Sequence, residues 1–299
     1  MRRKAFLFAA VFTVTVLTGC AVIAPLSSLP SYDPCIAQIA DIRAANPLNI
    51  GEDSRTTVLC DNPEVRGYFI MVGTRTPVRV NPASDEIIFV HNGRGTLVID
   101  NGSNYPLGSF PAETGSIYVI AKGTRWEFKA DERRFFDPVI LFGAQAPPPP
   151  GSGKKPLPAV TQEKPAEKSK SNSGYAAPVA SDTLQNISDD DPVLPGERVR
   201  ENAIKHLSTA SAYIVRLTDE LRLRADDVFD ELVFVHKGEG MMTLGDKTCP
   251  AKPGSVFFIP RRSEWKFIPL APSTVEPVVL FKVFSPPYVK ETPSEASGR

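Results

Sequence analysis

Asp85-Glu86-Ile87-Ile88-Phe89-Val90-His91-Asn92-Gly93-Arg94-Gly95 is a stretch that the chain writes twice. It returns 145 residues later as Asp230-Glu231-Leu232-Val233-Phe234-Val235-His236-Lys237-Gly238-Glu239-Gly240. At the same offset Tyr68 aligns with Tyr213 and Arg79 with Arg224. Farther on, Gly115–Ile120 aligns with Gly254–Ile259 and Pro138–Phe142 with Pro277–Phe281, now at an offset of 139. One loop of the first copy is therefore longer, and the chain is built from two copies of one unit. Each copy reads as short apolar, β-branched or aromatic runs between glycine and proline turns. His91-Asn92-Gly93 and His236-Lys237-Gly238 supply glycines for tight turns. Many short strands with such turns predict an all-β sandwich or barrel. Only Cys35–Ala45 and Glu197–Leu207 read as helical, each ahead of its copy's first strand, with His206 facing solvent on the second helix.

The 299 residues allow about two domains. Lysine plus arginine (34) balances aspartate plus glutamate (34), which argues against a nucleic-acid binder. The 29 prolines exclude a helix bundle and fit strands, turns and linkers. Residues 146–181 hold eight prolines and five lysines with few apolar side chains, a composition that cannot bury a core.

At the N-terminus Arg2, Arg3 and Lys4 precede an apolar run of 13 residues, Ala5 to Leu17. That is short of the ~20 residues a spanning helix needs, so it reads as a signal peptide. Leu17-Thr18-Gly19-Cys20 resembles the lipobox of bacterial lipoproteins. The resemblance implies cleavage before Cys20, acylation of Cys20 and a lipid anchor, and Ala21 implies the outer membrane. In an exported protein one disulfide is expected among Cys35, Cys60 and Cys249. Cys35–Cys60 is the nearest pair in sequence, with Cys35–Cys249 and Cys60–Cys249 as alternatives.

The stretch around Glu86 and its Gly-x-Gly turn resembles the first cupin motif. Gly115 to Trp126 and Gly254 to Trp265, with Pro260, resemble the second. The resemblance implies two tandem cupin-type double-stranded β-helix barrels, a bicupin whose halves pack as two cupin subunits would. The expected layout is signal peptide 1–19, N-terminal arm 20–62, first cupin domain 63–145, disordered linker 146–186, second cupin domain 187–289 and disordered tail 290–299.

Metal-binding cupins use His-x-His, a glutamate and a later histidine. Here the glutamates are Glu86 and Glu231, but the histidine positions hold Arg79, Asn81 and Trp126, and Arg224, Asp226 and Trp265. Arginine, tryptophan and one carboxylate do not make a transition-metal site, so no metal and no other cofactor is expected. Arg224 beside Asp226 and Glu231 argues against a hard cation. A buried carboxylate then needs another cation, which predicts the pairs Arg79–Glu86 and Arg224–Glu231. Trp126 and Trp265 either stack on a flat ligand or plug the barrels, and their occurrence as a matched pair favours plugs. Strand alternation puts Glu86, Ile88 and Val90 on one face and Ile87, Phe89 and His91 on the other. His91 and His236 are therefore expected at an interface between the halves.

These readings predict a lipid-anchored, non-catalytic bicupin at the periplasmic face of the envelope, binding a small polar ligand or an envelope protein. The alternatives are a structural subunit of an envelope assembly and a metal-independent sugar epimerase or isomerase. The last needs a base near neutral pKa, a role only Glu86 and Glu231 could fill, beside arginines that lower it.

Overall fold

A computed structural model describes residues 36–100, 106–134, 136–147, 179–224, 229–271 and 276–286. Cys20, Cys35, Asp226, most of the expected linker and the tail lie outside the described residues. The first repeat runs β1 (Ile36–Gln38), α1 (Ile39–Ala45), β2 (Ser54–Asp61), β3 (Arg66–Val72), β4 (Arg79–Val80), β5 (Asp85–Asn92), β6 (Arg94–Asp100), β7 (Pro106–Glu113), β8 (Ser116–Ile120), β9 (Arg125–Ala130) and β10 (Val139–Ala146). The second runs β11 (Val179–Thr183), α2 (Leu184–Asp190), β12 (Val199–His206), β13 (Ser211–Leu217), β14 (Leu221–Arg224), β15 (Asp230–Lys237), β16 (Gly240–Leu244), β17 (Lys247–Ala251), β18 (Ser255–Ile259), β19 (Glu264–Pro269) and β20 (Val278–Ser285).

Each repeat forms a barrel from a six-stranded and a four-stranded sheet. The first barrel has β11-β8-β5-β10-β3-β2 over β4-β9-β6-β7, and the second β1-β18-β15-β20-β13-β12 over β14-β19-β16-β17. The leading strands are exchanged. β1 pairs with β18 of the second repeat and β11 with β8 of the first, both antiparallel. The crossing is repeated in the backbone beyond: Ile39 N–H donates to Gly254 O and Leu184 N–H to Gly115 O, each at 3.1 Å. Each repeat thus covers an edge that the other's large sheet would otherwise expose.

Alternation sorts the side chains. Ile88 and Val90 join the interior of the first barrel, and Val233 and Val235 that of the second. Ile87, Phe89, Leu232 and Phe234 point the other way, into a core shared by both repeats with Phe142 and Phe281. Phe142 stacks on Phe234 at 4.8 Å and Phe89 on Phe281 at 5.2 Å. Burying each such side chain contributes about 1.5–3 kcal/mol, so these six alone give on the order of 10 kcal/mol before ordering entropy.

The motif aspartates close this seam. Asp85 accepts from Lys122 N–H at 3.0 Å and, across the seam, from Ser208 at 3.0 Å and Thr209 at 2.7 Å. Asp230 accepts from Arg261 N–H at 2.8 Å and from Asn62 at 3.5 Å, while Arg261 also meets Glu64 at 3.1 Å.

Two expectations need correction. Glu197–Leu207 contains an edge strand, β12, rather than a helix, and His206 is its exposed last residue. Its charged side chains sit on a half-covered strand, which blurs the period-2 signal. The second helix is α2, where Thr183 Oγ1 caps the N-terminus by accepting from Asn186 N–H at 3.1 Å. The boundaries also move. β1 and β2, expected in an arm, belong to the two large sheets, and β11 and the start of α2 fall inside the expected linker.

Candidate functional site

β5 turns Glu86 into the first barrel, where it is 2 % exposed. Neighbouring strands aim donors at its carboxylate. Trp126 Nε1 on β9 donates to Oε2 at 2.6 Å, Gln145 Nε2 on β10 to Oε1 at 3.0 Å, and the Tyr68 hydroxyl on β3 to Oε1 as well. Arg79 on β4 brings Nη2 to 3.6 Å from Oε1, with its guanidinium 5.1 Å and 5.4 Å from the Tyr68 and Trp126 ring centres. Burial, and then the Glu86 charge, raise the Tyr68 phenol well above its ordinary pKa, so it stays a donor. Gly143 makes this possible, because a Cβ there would overlap the Tyr68 ring. Asn81 lies apart from this network, its Oδ1 accepting from Ser84 N–H at 3.2 Å.

The second barrel solves the same problem differently. Lys282 stands at the position of Gly143 and Phe284 at that of Gln145. Lys282 Nζ lies 3.1 Å from Glu231 Oε2 as an ion pair without hydrogen-bond alignment. The ammonium sits 5.0 Å from the Trp265 ring centre and 4.6 Å from that of Phe284. Trp265 Nε1, unlike Trp126 Nε1, has no acceptor among the described residues. Tyr213 turns its ring edge-on to Phe284, which packs in turn on Phe229, and all three are buried. The side chain of Arg224 lies outside the described residues; the cation on Glu231 is Lys282, a residue the sequence reading did not single out.

Among the described residues, a divalent ion does not fit either centre. Glu86 spends its oxygens on Tyr68, Trp126, Gln145 and Arg79, and Glu231 faces an ammonium. The positions around them offer indole, guanidinium and amide groups rather than imidazoles.

Beside the first barrel lies a groove of about 620 Å³, lined by Glu52, Asp53, Arg55, Thr56, Arg75, Thr76, Val78 and Glu127 among others, and by none of the residues that hold Glu86. Thr56 Oγ1 links it to the barrel by accepting from Arg79 Nη1 at 3.3 Å. The groove lies between edge strand β2 and the segment leading into β4, which is only two residues long. No sequence motif marked it, because its residues come from three separate stretches.

His91 and His236 meet at the seam with ring centres 6.0 Å apart, each edge-on to a phenylalanine of the other repeat: His91 to Phe234 at 5.1 Å and His236 to Phe89 at 4.9 Å. Burial lowers both pKa values to about 4, helped by Arg43 at His91 and by His91 and Lys237 at His236. Cys60 packs against the shared core, and the expected pairing with Cys35 lies outside the described residues. Cys249 donates to Met242 O at 3.6 Å, and burial raises its thiol pKa.

The sequence matches no family model and no curated protein. Among solved structures it is similar to a salicylate 1,2-dioxygenase from Pseudaminobacter salicylatoxidans, with TM-score 0.60 and 15% identity over 86% of this chain and 85% of that one. It is also similar to a cupin 2 conserved barrel domain protein from Leptotrichia buccalis, with TM-score 0.56 and 11% identity over 86% and 98%. The chain has the cupin fold. A Bacillus subtilis oxalate decarboxylase matches too, with TM-score 0.56 and 11% identity over 89% and 80%. At these identities the cupin likeness carries the fold and no activity.

Proposed function

We propose that this chain is a lipid-anchored bicupin that holds a small polar ligand, without catalysis, at the periplasmic face of a bacterial envelope. The observation that supports it most is a used-up centre with a separate polar groove beside it, joined through the Thr56–Arg79 contact. Glu86 has no free oxygen to act as a base, because Tyr68, Trp126 and Gln145 donate to its carboxylate and Arg79 lies beside it. The polar groove beside β2 and the segment leading into β4 has the size of a small-molecule site, within the ~300–1,000 Å³ common for such pockets. Oxygenation and decarboxylation, named for two of the neighbours, are not carried over, since the described residues of neither centre include an imidazole. Cys20 and the preceding Leu17-Thr18-Gly19 supply the anchor in this reading.

Native mass spectrometry of the protein extracted from its source envelope tests the proposal. A retained polar adduct that disappears in a Thr56→Val/Arg75→Ala variant is the expected result. A full-length protein with no adduct, or one iron, manganese or zinc per barrel, overturns it. In parallel, Cys20→Ser should abolish metabolic fatty-acid labelling, and equal labelling of variant and parent removes the anchor.

A further inference from the structure

Apart from the groove beside β2, we infer that the recess between α1 and the β9–β10 connection is a second site. It takes a small amphipathic carboxylate, an apolar body carrying one anionic group. The recess measures about 320 Å³. That lies at the lower end of the ~300–1,000 Å³ common for small-molecule pockets. Buried Met71 and Leu48 form its floor, and exposed Ala40, Ala44 and Phe136 its walls. Ala40 and Ala44 stand one turn apart on the same face of α1, and their small side chains leave the space open. Phe136 is 90% exposed, an aromatic ring that the fold does not bury for itself. At the edge Arg43 and Arg134 share one carboxylate, Asp137, at 3.5 Å and 3.8 Å. Two guanidiniums against one carboxylate leave a positive charge in excess beside an apolar hollow. A guanidinium fork matches a carboxylate, and an apolar body would take the Phe136 ring out of water.

The second repeat is built differently at the same place. Ala40 and Ala44 correspond to Gln185 and Asp189 on α2, where Gln185 Nε2 donates to Asp189 Oδ1 at 2.8 Å. Met71 corresponds to Arg216, which donates to Asp191 O and, at 2.7 Å, to Asn202 Oδ1. Arg43 and Arg134 correspond to Ser188 and Ser273, and Phe136 to Val275. Small helix residues, a methionine floor and a cationic edge thus occur together only in the first repeat.

The probes are octanoate and its uncharged counterpart octanol. Each is titrated by calorimetry into the Cys20→Ser chain without residues 1–19, in buffer free of detergent. That chain keeps every described residue. Octanoate should saturate a single site with a dissociation constant of about 1 mM or below. Octanol should bind about two- to fivefold more weakly, the share of an exposed ion pair. Arg43→Ala with Arg134→Ala should remove that difference. Ala40→Leu with Ala44→Leu fills the hollow from exposed helix positions with a good helix former, and should abolish binding of both probes while leaving the urea midpoint in place. Absence of saturable octanoate binding overturns the site. Binding that survives the double leucine variant overturns its location, and octanol bound as tightly as octanoate overturns the anionic group. None of these variants changes a residue that lines the groove beside β2, so the reading of that groove stands or falls separately.

Discussion

The two barrels share backbone, register and a buried glutamate, and differ in how that glutamate is held. In the first, a glycine at 143 lets Tyr68 lie across the strand to reach Glu86, and Gln145, Trp126 and Arg79 complete the set. In the second, one substitution at the glycine position places Lys282 on Glu231, and Tyr213 joins Phe229 and Phe284 instead. A carboxylate can be kept in a dry barrel by several neutral donors and a rim guanidinium, or by one ammonium among aromatic faces. The first solution leaves Arg79 to donate to Thr56, which lines a polar groove beside the barrel. The second packs aromatic side chains over the centre.

Where the barrels meet, they agree, and the seam carries the largest expected effect. His91 and His236 have pKa values of about 4 in the folded chain against an ordinary 6.5. The unfolded chain therefore binds more protons between those values. Stability from these groups is complete above pH 6.5 and is lost as pH falls toward 4. Each imidazole contributes on the order of 3 kcal/mol to that loss at most. The groups facing them are Arg43 on α1, Lys237 beside His236 and the two phenylalanines. His91→Phe with His236→Phe should flatten the difference in urea-unfolding stability between pH 7 and pH 4.5, measured against the parent. Identical slopes in parent and double variant would remove the histidines from the pH response.

The next largest effect separates the barrels. Lys282→Met removes from Glu231 its one cation among the described residues, which should cost about 3–5 kcal/mol. Adding Glu231→Leu should recover most of the loss, because an apolar pair of similar volume replaces a desolvated ion pair. A Lys282→Met protein as stable as its parent would show that the carboxylate is held by something else.

Much of this was legible before any coordinates, and the misses have physical reasons. The repeat and the alternation in Ile87-Ile88-Phe89-Val90-His91 put the right residues on the right faces, because period 2 is fixed by the pleat. Glu86 with Arg79 could be reasoned from the cost of a lone buried carboxylate. Lys282 occupies none of the histidine positions of the motif, although a lysine inside Val278–Ser285, a fully buried strand, is itself a signal. Helix α2 is signalled in the sequence only by the 145-residue offset extended back from Tyr68 to Ile39, which aligns with Leu184. The strand exchange could not be read at all. Pairing between β1 and β18 depends on contacts more than 200 residues apart, and three residues carry no pattern of their own.

A smaller effect tests the two tryptophans directly. Trp126→Phe removes the N–H that meets Glu86 at 2.6 Å, while Trp265→Phe removes one that meets nothing. The loss of ring size is common to both. The first should therefore cost about 1.5–3 kcal/mol more than the second, the value of a buried hydrogen bond to a charged acceptor. Denaturant midpoints of the two variants at neutral pH decide it, and equal destabilisation would mean the Glu86 network is not what distinguishes the barrels.

The smallest expected effect is none. A protease site placed between residues 150 and 175 would cut the chain between the repeats. Four features would still join them: the shared core around Phe89, Phe142, Phe234 and Phe281, β1 on β18, β11 on β8, and the Asp85 and Asp230 contacts across the seam. The exchanged strands matter most here. Each fragment keeps a strand that completes the other's sheet, so separation would expose two sheet edges as well as the apolar faces. At neutral pH, with both histidines uncharged, the nicked protein should elute from size-exclusion chromatography as one species at the volume of the intact chain. His91→Asp with His236→Asp should split that peak, since two carboxylates would then face each other in a dry seam. Two half-sized peaks from the nicked parent would mean that each barrel folds as an independent bead, and the seam histidines would lose their role.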